Sequence, residues 1–377
     1  MTKLHGIKVL DLSMFLPGPY LGMIMADHGA DVIKVEPPQG DPGREIGVET
    51  TEGPSLHRNV NRGKKSLQLD LKSDDGKAIF LQKAQQADVI IESFRPGVAA
   101  RLGVSYDDIS AFNPQVVYVS LSAFGQEGPY QHKPAHDLAT MALAGGLTGT
   151  VGFDGFPVMP GIAVADMLAS LNGLSAVLMA LIRRQQTGQG DYIDISMQHS
   201  VMAALPNVSG WAQVGEPDPD WKHARTTGGA ALYNIYCSAD DKWFVLGAQE
   251  LKFARNLLQD MDLMEHYDAC TKGPGPHQQE LICLLREKFS KKPRDYWLKR
   301  FEKLDISIAP INSIGEALND ANLRALHAVQ EDETGYVQVM PVARFRCEPS
   351  QPNLCPPALA PLNSDEGLWQ QSKDPKN

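Results

Sequence analysis

Cysteine is scarce. Only five of the 377 residues are Cys, at 237, 270, 283, 347 and 355, and no two are spaced as a CxxC pair or other ligand set. They read as reduced thiols, with no structural zinc or other metal expected. Basic charge is not in excess either. A formal net charge of -10 argues against a nucleic-acid surface, though not against a local basic pocket for a small anion. The opening MTKLHGIKVLDLS lacks the apolar core of a signal peptide. No uninterrupted apolar run demands a membrane span of roughly 20 residues. The nearest, 167–182, carries Ser and Asn and runs into Arg183-Arg184, as a buried or interface helix does. The expectation is a cytoplasmic protein with no membrane or nucleic-acid partner. A Walker A sequence and internal repeats are absent. After the first predicted strand, Pro17-Gly18-Pro19 stands in place of a GxGxxG fingerprint, so a standard dinucleotide site is not expected.

What is present is an ordered chain, 43% hydrophobic and 21% charged, long enough for two domains. Its first third alternates strand-like and helix-like runs. Strands are expected at 7–12, 31–35, 66–71, 87–92 and 116–121, with helices at 17–29 and 74–86. This alternation predicts βαβ units and a Rossmann-like, doubly wound parallel sheet in an α/β fold. Ligands of such sheets sit past the carboxyl ends of strands, here 37–43, 94–97 and 122–128. A long helix to about Thr187, a strand at 192–196 and a helix from Met197 follow. Residues 201–224 read as a linker around the polar Gly215–Asp220 run. Beyond them, a hairpin at 232–246 and helices at 250–260, 277–290 and 293–304 form a smaller α/β domain over 225–324. The large domain then covers 1–200, and residues 325–377 return to complete it. Within that return, the Pro-rich 348–361 is expected to wrap a surface.

The stretch 133–170 carries the chemistry. It opens on His136-Asp137 and closes on Asp166, a carboxylate inside the apolar run 161–168. Such a group must be hydrogen-bonded, paired or of altered pKa. An imidazole and a carboxylate from these segments can form an acid/base pair. The plainer alternative is helix capping: His136 or Asp137 for the helix that follows them, Asp166 for its own. Basic residues gather at loop ends, at Arg62, Lys64, Lys65, Arg95 and Arg101. They are either a solvated surface or the rim of a polyanion site.

The motifs GIKVLDLS, PGPYLGMIMADHGADVIKVEPP, NRGKKSLQLDLK, ESFRPGVAARLG, LSAFGQEGPY, AHDL, the Asp166 segment and RRQQTGQGDYIDISM span nearly the whole chain. Together they resemble the class III CoA-transferases and their relatives, the 2-methylacyl-CoA racemases. The resemblance implies an interlaced homodimer and an acyl-CoA substrate, with no cofactor beyond the CoA thioester. It implies coenzyme contacts at Arg62, Lys65, Leu69, Asp70, Leu71, Lys72, Phe94, Arg95, Arg101 and Ala135. Asp166 matches the catalytic carboxylate of both branches, and His136 the second acid/base group of the racemases. Glu250 matches the glutamate that pairs with this histidine. Asp137 and Tyr233 match residues beside the pocket. Ala135 replaces the glycine before the racemase histidine, and Pro37 stands where racemases have a phosphate-binding arginine.

Three residues that suit proton exchange make a 2-methylacyl-CoA racemase, working between His136 and Asp166, the leading expectation. The alternative is a CoA-transferase that moves CoA between carboxylic acids through an Asp166-linked anhydride and thioester, in which Asp166 alone is indispensable. A non-catalytic CoA-binding role is the third.

Overall fold

The computed structural model describes residues 2–365 and 367–369. The chain forms two compact units. One comprises residues 1–144, 162–204 and 320–377, and the other 145–161 and 205–319. Two expected boundaries shift. Residues 145–161 fold with the small unit, where the Phe153 ring lies beneath the Arg286 guanidinium at 4.8 Å. Residues 205–224 are not a free linker. They belong to the small unit and include the helix Gly210–Gln213.

The large unit is built on six parallel strands: β1 (Lys8–Asp11), β2 (Asp31–Glu36), β3 (Lys65–Gln68), β4 (Val89–Glu92), β5 (Val117–Ser122) and β6 (Asp191–Ser196). Their spatial order is β3-β2-β1-β4-β5-β6. The chain builds outward from β1 in one direction, then crosses to β4 and builds in the other, which opens a crevice between β1 and β4. Buried runs such as Val89-Ile90-Ile91 and Val117-Tyr118-Val119 show a sheet covered on both faces.

Pro17 opens the helix Pro17–Asp27, which packs tightly against β1. A Cβ on Gly18 would collide with the Ser13 side chain, and one on Gly22 would lie 2.9 Å from Asp11 Oδ2. These two glycines perform the close-packing task of the last fingerprint glycine, although the GxGxxG spacing is missing.

The long helix Val164–Thr187 turns a stripe of small and apolar side chains inward: Ala165, Ala169, Gly173, Val177 and Leu181. Its opposite face leaves Leu171, Met179 and Ile182 exposed. By length and composition alone this helix could cross a membrane.

The chain's return closes the unit. Arg58 pairs with Asp332, and the Pro-rich segment runs along the edge strand β3. There Ala360 N–H reaches Ser66 Oγ at 3.2 Å, and Asn363 N–H reaches Gln68 O at 2.8 Å. The second bond covers a backbone carbonyl that an edge strand would otherwise expose.

The small unit holds an antiparallel sheet of β7 (Tyr233–Cys237), β8 (Trp243–Gly247) and β9 (Ile308–Pro310). The expected hairpin is β7–β8, with Trp243 opposite Cys237. Three helices, Leu251–Asp260, Gln279–Phe289 and Arg294–Phe301, surround a core of Tyr236, Phe244, Phe289 and Trp297.

Beneath the first crossover lies a buried ion pair. Lys64 Nζ sits 2.7 Å from Asp11 Oδ2 and also donates to Pro19 O and Asn61 Oδ1, each at 2.8 Å. Burial works against the charge on Asp11, but the cations of Lys64 and Lys34 outweigh it and hold its pKa below the usual range. Lys64→Met would leave that carboxylate buried without its partner. The expected loss is about 3–5 kcal/mol of unfolding free energy in urea titration. Adding Asp11→Asn should recover part of it.

Candidate active site

Asp166 occupies the first turn of the helix Val164–Thr187, which gets no side-chain cap from its own N-cap residue, Ala163. The missing acceptor comes from another segment. Asp137 Oδ1 accepts the N–H of Ala165 at 2.6 Å and of Asp166 at 3.1 Å. Asp137 is itself the first residue of the helix Asp137–Leu143. Capping is therefore part of the answer, but not in the expected form. Asp137 caps the helix of Asp166, whereas Asp166 lies inside the helix that it was expected to cap. One further turn along, Ser170 Oγ donates to Pro17 O at 2.5 Å and ties the long helix to the start of the first.

The Asp166 carboxyl is half-buried, and among the described residues of the large unit no donor or cation reaches it. Burial raises its pKa, the Asp137 charge adds to the effect, and the value moves from 3.8 to about 7. Asp137 has already taken the two N–H groups that would otherwise favour a charge on Asp166.

A cleft of about 260 Å³ opens at the carboxyl edge of the sheet. Leu12 and Met14 follow β1, Pro37–Gln39 follow β2, Leu69–Lys72 follow β3, and Phe94 follows β4. This is the crevice that the strand order creates. Five of the expected coenzyme contacts line it together: Leu69, Asp70, Leu71, Lys72 and Phe94. Leu12, Met14 and Leu102 were outside the expected set, although the rule for strand ends would have found the first two.

Arg95 and Arg101 flank the same turn past β4, both exposed. The Arg101 guanidinium folds over Gly97, so that a Cβ there would lie 3.4 Å from its Nη1. Among the described residues neither arginine has an acidic partner.

Arg62 departs from expectation. It is buried, its Nε and Nη2 bond both carboxylate oxygens of Asp27 at 2.9 and 2.7 Å, and Nη1 donates to Val339 O at 2.7 Å. Its guanidinium is committed within the fold and cannot serve a phosphate. Lys65 pairs with Asp31 at 2.8 Å on the surface. His136 is exposed and makes no side-chain cap, and Ala135 just before it is half-buried. In the small unit, Tyr233 lines a separate cleft of about 520 Å³. Glu250 is exposed at the start of the helix Leu251–Asp260.

Comparison with known proteins shows the family and removes one branch of the choice. The family model for CoA-transferase family III matches residues 4–364. The acetyl-CoA:oxalate CoA-transferase of Acetobacter aceti is 33% identical over 83% of this chain and 82% of its own. The succinyl-CoA–D-citramalate CoA-transferase of Chloroflexus aurantiacus is 32% identical over 96% and 92%. The crystal structure of a CaiB/BaiF family protein from Brucella suis superimposes with a TM-score of 0.83 and 28% identity, covering 95% of this chain and 96% of that one. These curated relatives are transferases, which overturns the expectation of a racemase. The assignment of His136 and Glu250 as proton carriers falls with it, because acyl transfer through a carboxylate needs neither. With a family match from near one end to the other and relatives above 30% identity, the chain belongs to CoA-transferase family III.

Proposed function

We propose that the protein transfers coenzyme A between two carboxylic acids, with Asp166 as the covalent carrier. The observation that carries this reading is the Asp166 carboxyl itself: half-buried, unpaired among the described residues of its unit, and held at a helix start by Asp137. A desolvated carboxylate with no hydrogen bond to stabilise it is a ready nucleophile.

The steps balance without any further reactant. The Asp166 carboxylate attacks the acyl-CoA carbonyl and expels the CoA thiolate, which leaves a mixed anhydride. The thiolate attacks the Asp166 carbonyl and releases the first acid, which leaves an Asp166–CoA thioester. The second acid attacks that thioester, forming a new anhydride and freeing the thiolate once more. Attack of the thiolate on the new acyl carbonyl yields the second acyl-CoA and restores Asp166. One thioester is lost and one gained, so the exchange is close to isoenergetic.

The coenzyme is assigned to the cleft at the sheet's carboxyl edge, with Lys72, Arg95 and Arg101 supplying positive charge for its phosphates. The relatives named for oxalate and D-citramalate make dicarboxylic acids the first acceptors to assay. A homodimer is also proposed, supported by the uncovered apolar face at Leu171, Met179 and Ile182. A monodisperse monomer in light scattering at micromolar concentration would exclude it.

Borohydride added during turnover should reduce the Asp166 thioester, and mass spectrometry should find the change on the Asp166 peptide alone. Asp166→Ala and Asp166→Asn should both abolish transfer. An Asp166→Ala enzyme that still moves CoA between acids would remove the proposal.

Stability gives an independent check. The folded state raises the pKa of Asp166, so folding favours its neutral form. Stability therefore falls as pH rises from the unfolded value near 3.8 through the folded value of about 7. Asp166→Asn removes that penalty. Its melting temperature should exceed the parent's at pH 8, and the gap should close toward pH 4.

A further inference from the structure

Two glutamates end parallel strands beside the cleft, and their surroundings differ. Glu36 closes β2. Its carboxylate takes Arg44 Nε at 2.7 Å, Arg44 Nη2 and Ser66 Oγ at 2.8 Å, and the Asp41 N–H at 3.1 Å. Burial opposes its charge, but these donors prevail and hold its pKa at about 2.

Glu92 closes β4 and is 3% exposed. Its Oε2 accepts the Phe94 N–H at 2.6 Å, and the Ser120 hydroxyl bonds the same carboxylate. Among the described residues no cation acts on it. The titratable groups that face it are Asp194 and Tyr192 on β6 and Tyr118 on β5. Burial therefore dominates, Asp194 adds to it, and the pKa of Glu92 rises to about 7.

The bond from Glu92 lands on the cleft. Phe94 lines it, and the residue between them, Ser93, accepts the N–H of Met14 at 3.2 Å. Met14 lines the cleft from the β1 side. The turn past β4 is thus fastened twice, by a hydroxyl to the neighbouring strand end and by a carboxylate to itself. A charged acceptor makes the stronger of these bonds.

We propose that Glu92 is a positioning residue for the coenzyme: its ionised carboxylate holds the turn that forms the Phe94 wall of the cleft. This rests on the assignment of the cleft to CoA. The sign follows from linkage. If CoA prefers the turn that ionised Glu92 holds, affinity falls as pH falls through about 7, where the carboxylate takes up its proton.

The test is calorimetric titration with CoA at pH 8 and pH 6. Asp166→Asn serves as the background, because it removes a second carboxyl raised to about 7. Glu92→Ala should weaken binding by about tenfold at pH 8, the scale of one charge-assisted hydrogen bond. Glu92→Gln keeps a neutral acceptor for the Phe94 N–H. It should bind with intermediate affinity and lose the part of the pH slope that does not come from the ligand's own phosphate. In otherwise wild-type enzyme, Glu92→Gln should raise KM for acyl-CoA while kcat at saturation stays within about twofold, since the residue acts on binding and not on the chemical step. A Glu92→Gln protein with the parent's full pH slope overturns the proposal, even if Glu92→Ala does not fold. Phe94→Ala separates the two layers. If it also leaves CoA affinity unchanged, the cleft is not the coenzyme site. If it weakens CoA while the Glu92 variants do not, the cleft stands and the role of Glu92 falls.

Discussion

One carboxylate oxygen organises the catalytic end of the large unit. Asp137 Oδ1 satisfies two backbone N–H groups at the start of the helix Val164–Thr187, which no residue of that helix's own cap can do. The amino end of a helix of 24 residues is a natural anion site, through its free N–H groups and its dipole. By filling that site, Asp137 fixes the helix and leaves Asp166, inside the same turn, without donors of its own. Ser170 adds a second tie, to Pro17 at the first helix. Asp166 is thereby located relative to the crossover after β1, through bonds that spare its carboxyl group.

The rest of the carboxyl edge follows a related logic. Loops that leave a parallel sheet need acceptors for their freed N–H groups. This protein supplies them from acidic side chains on the strands, two of them at strand ends. Glu36 takes the Asp41 N–H, Glu92 that of Phe94, and Asp194 that of Gln126. The first two bonds fix turns that line the cleft. Where a cation is near, as Arg44 is to Glu36, the carboxylate stays ionised. Where none is near, burial lifts the group toward neutrality, as at Glu92. Glu92 and Asp166 are thus both raised to about 7, by burial first in each case.

The alternation of strands and helices was legible because its periodicity is local. All six strands of the sheet lie where the sequence suggests, and the carboxyl-edge rule brings Leu69–Lys72 and Phe94 to one cleft. What could not be read were the partners of charged side chains. Arg62 belongs to a basic run and resembles a phosphate ligand, yet Asp27 and the Val339 carbonyl, both remote in sequence, claim it. Asp137 looks like a cap for its own helix, and its oxygen goes to another. Both outcomes depend on tertiary placement that no spacing rule encodes. The choice of reaction was hidden for a different reason. Asp166 is required by either chemistry, and His136 and Glu250 have the residue types for proton transfer without that fact saying whether they perform it. Similarity to proteins named as transferases, not residue type, overturns the racemase.

The environment of Asp166 also suits the whole reaction cycle rather than one step. Burial penalises only the charged form of a carboxyl group. The anhydride and the thioester proposed at Asp166 are neutral acyl derivatives, so the desolvation that raises its pKa also favours each of them over the free carboxylate. A pairing cation would reverse this. It would stabilise the resting carboxylate, weaken the nucleophile and make each acyl intermediate less favourable relative to it. Asp137 holds the helix with its own charge and contributes a second negative field at Asp166, which acts in the same direction as burial. The absence of a cation near Asp166, among the described residues of the large unit, fits the carrier role proposed for it. It brings the free and acylated states of one side chain closer in energy, as a carrier that must be loaded and unloaded in every turnover requires.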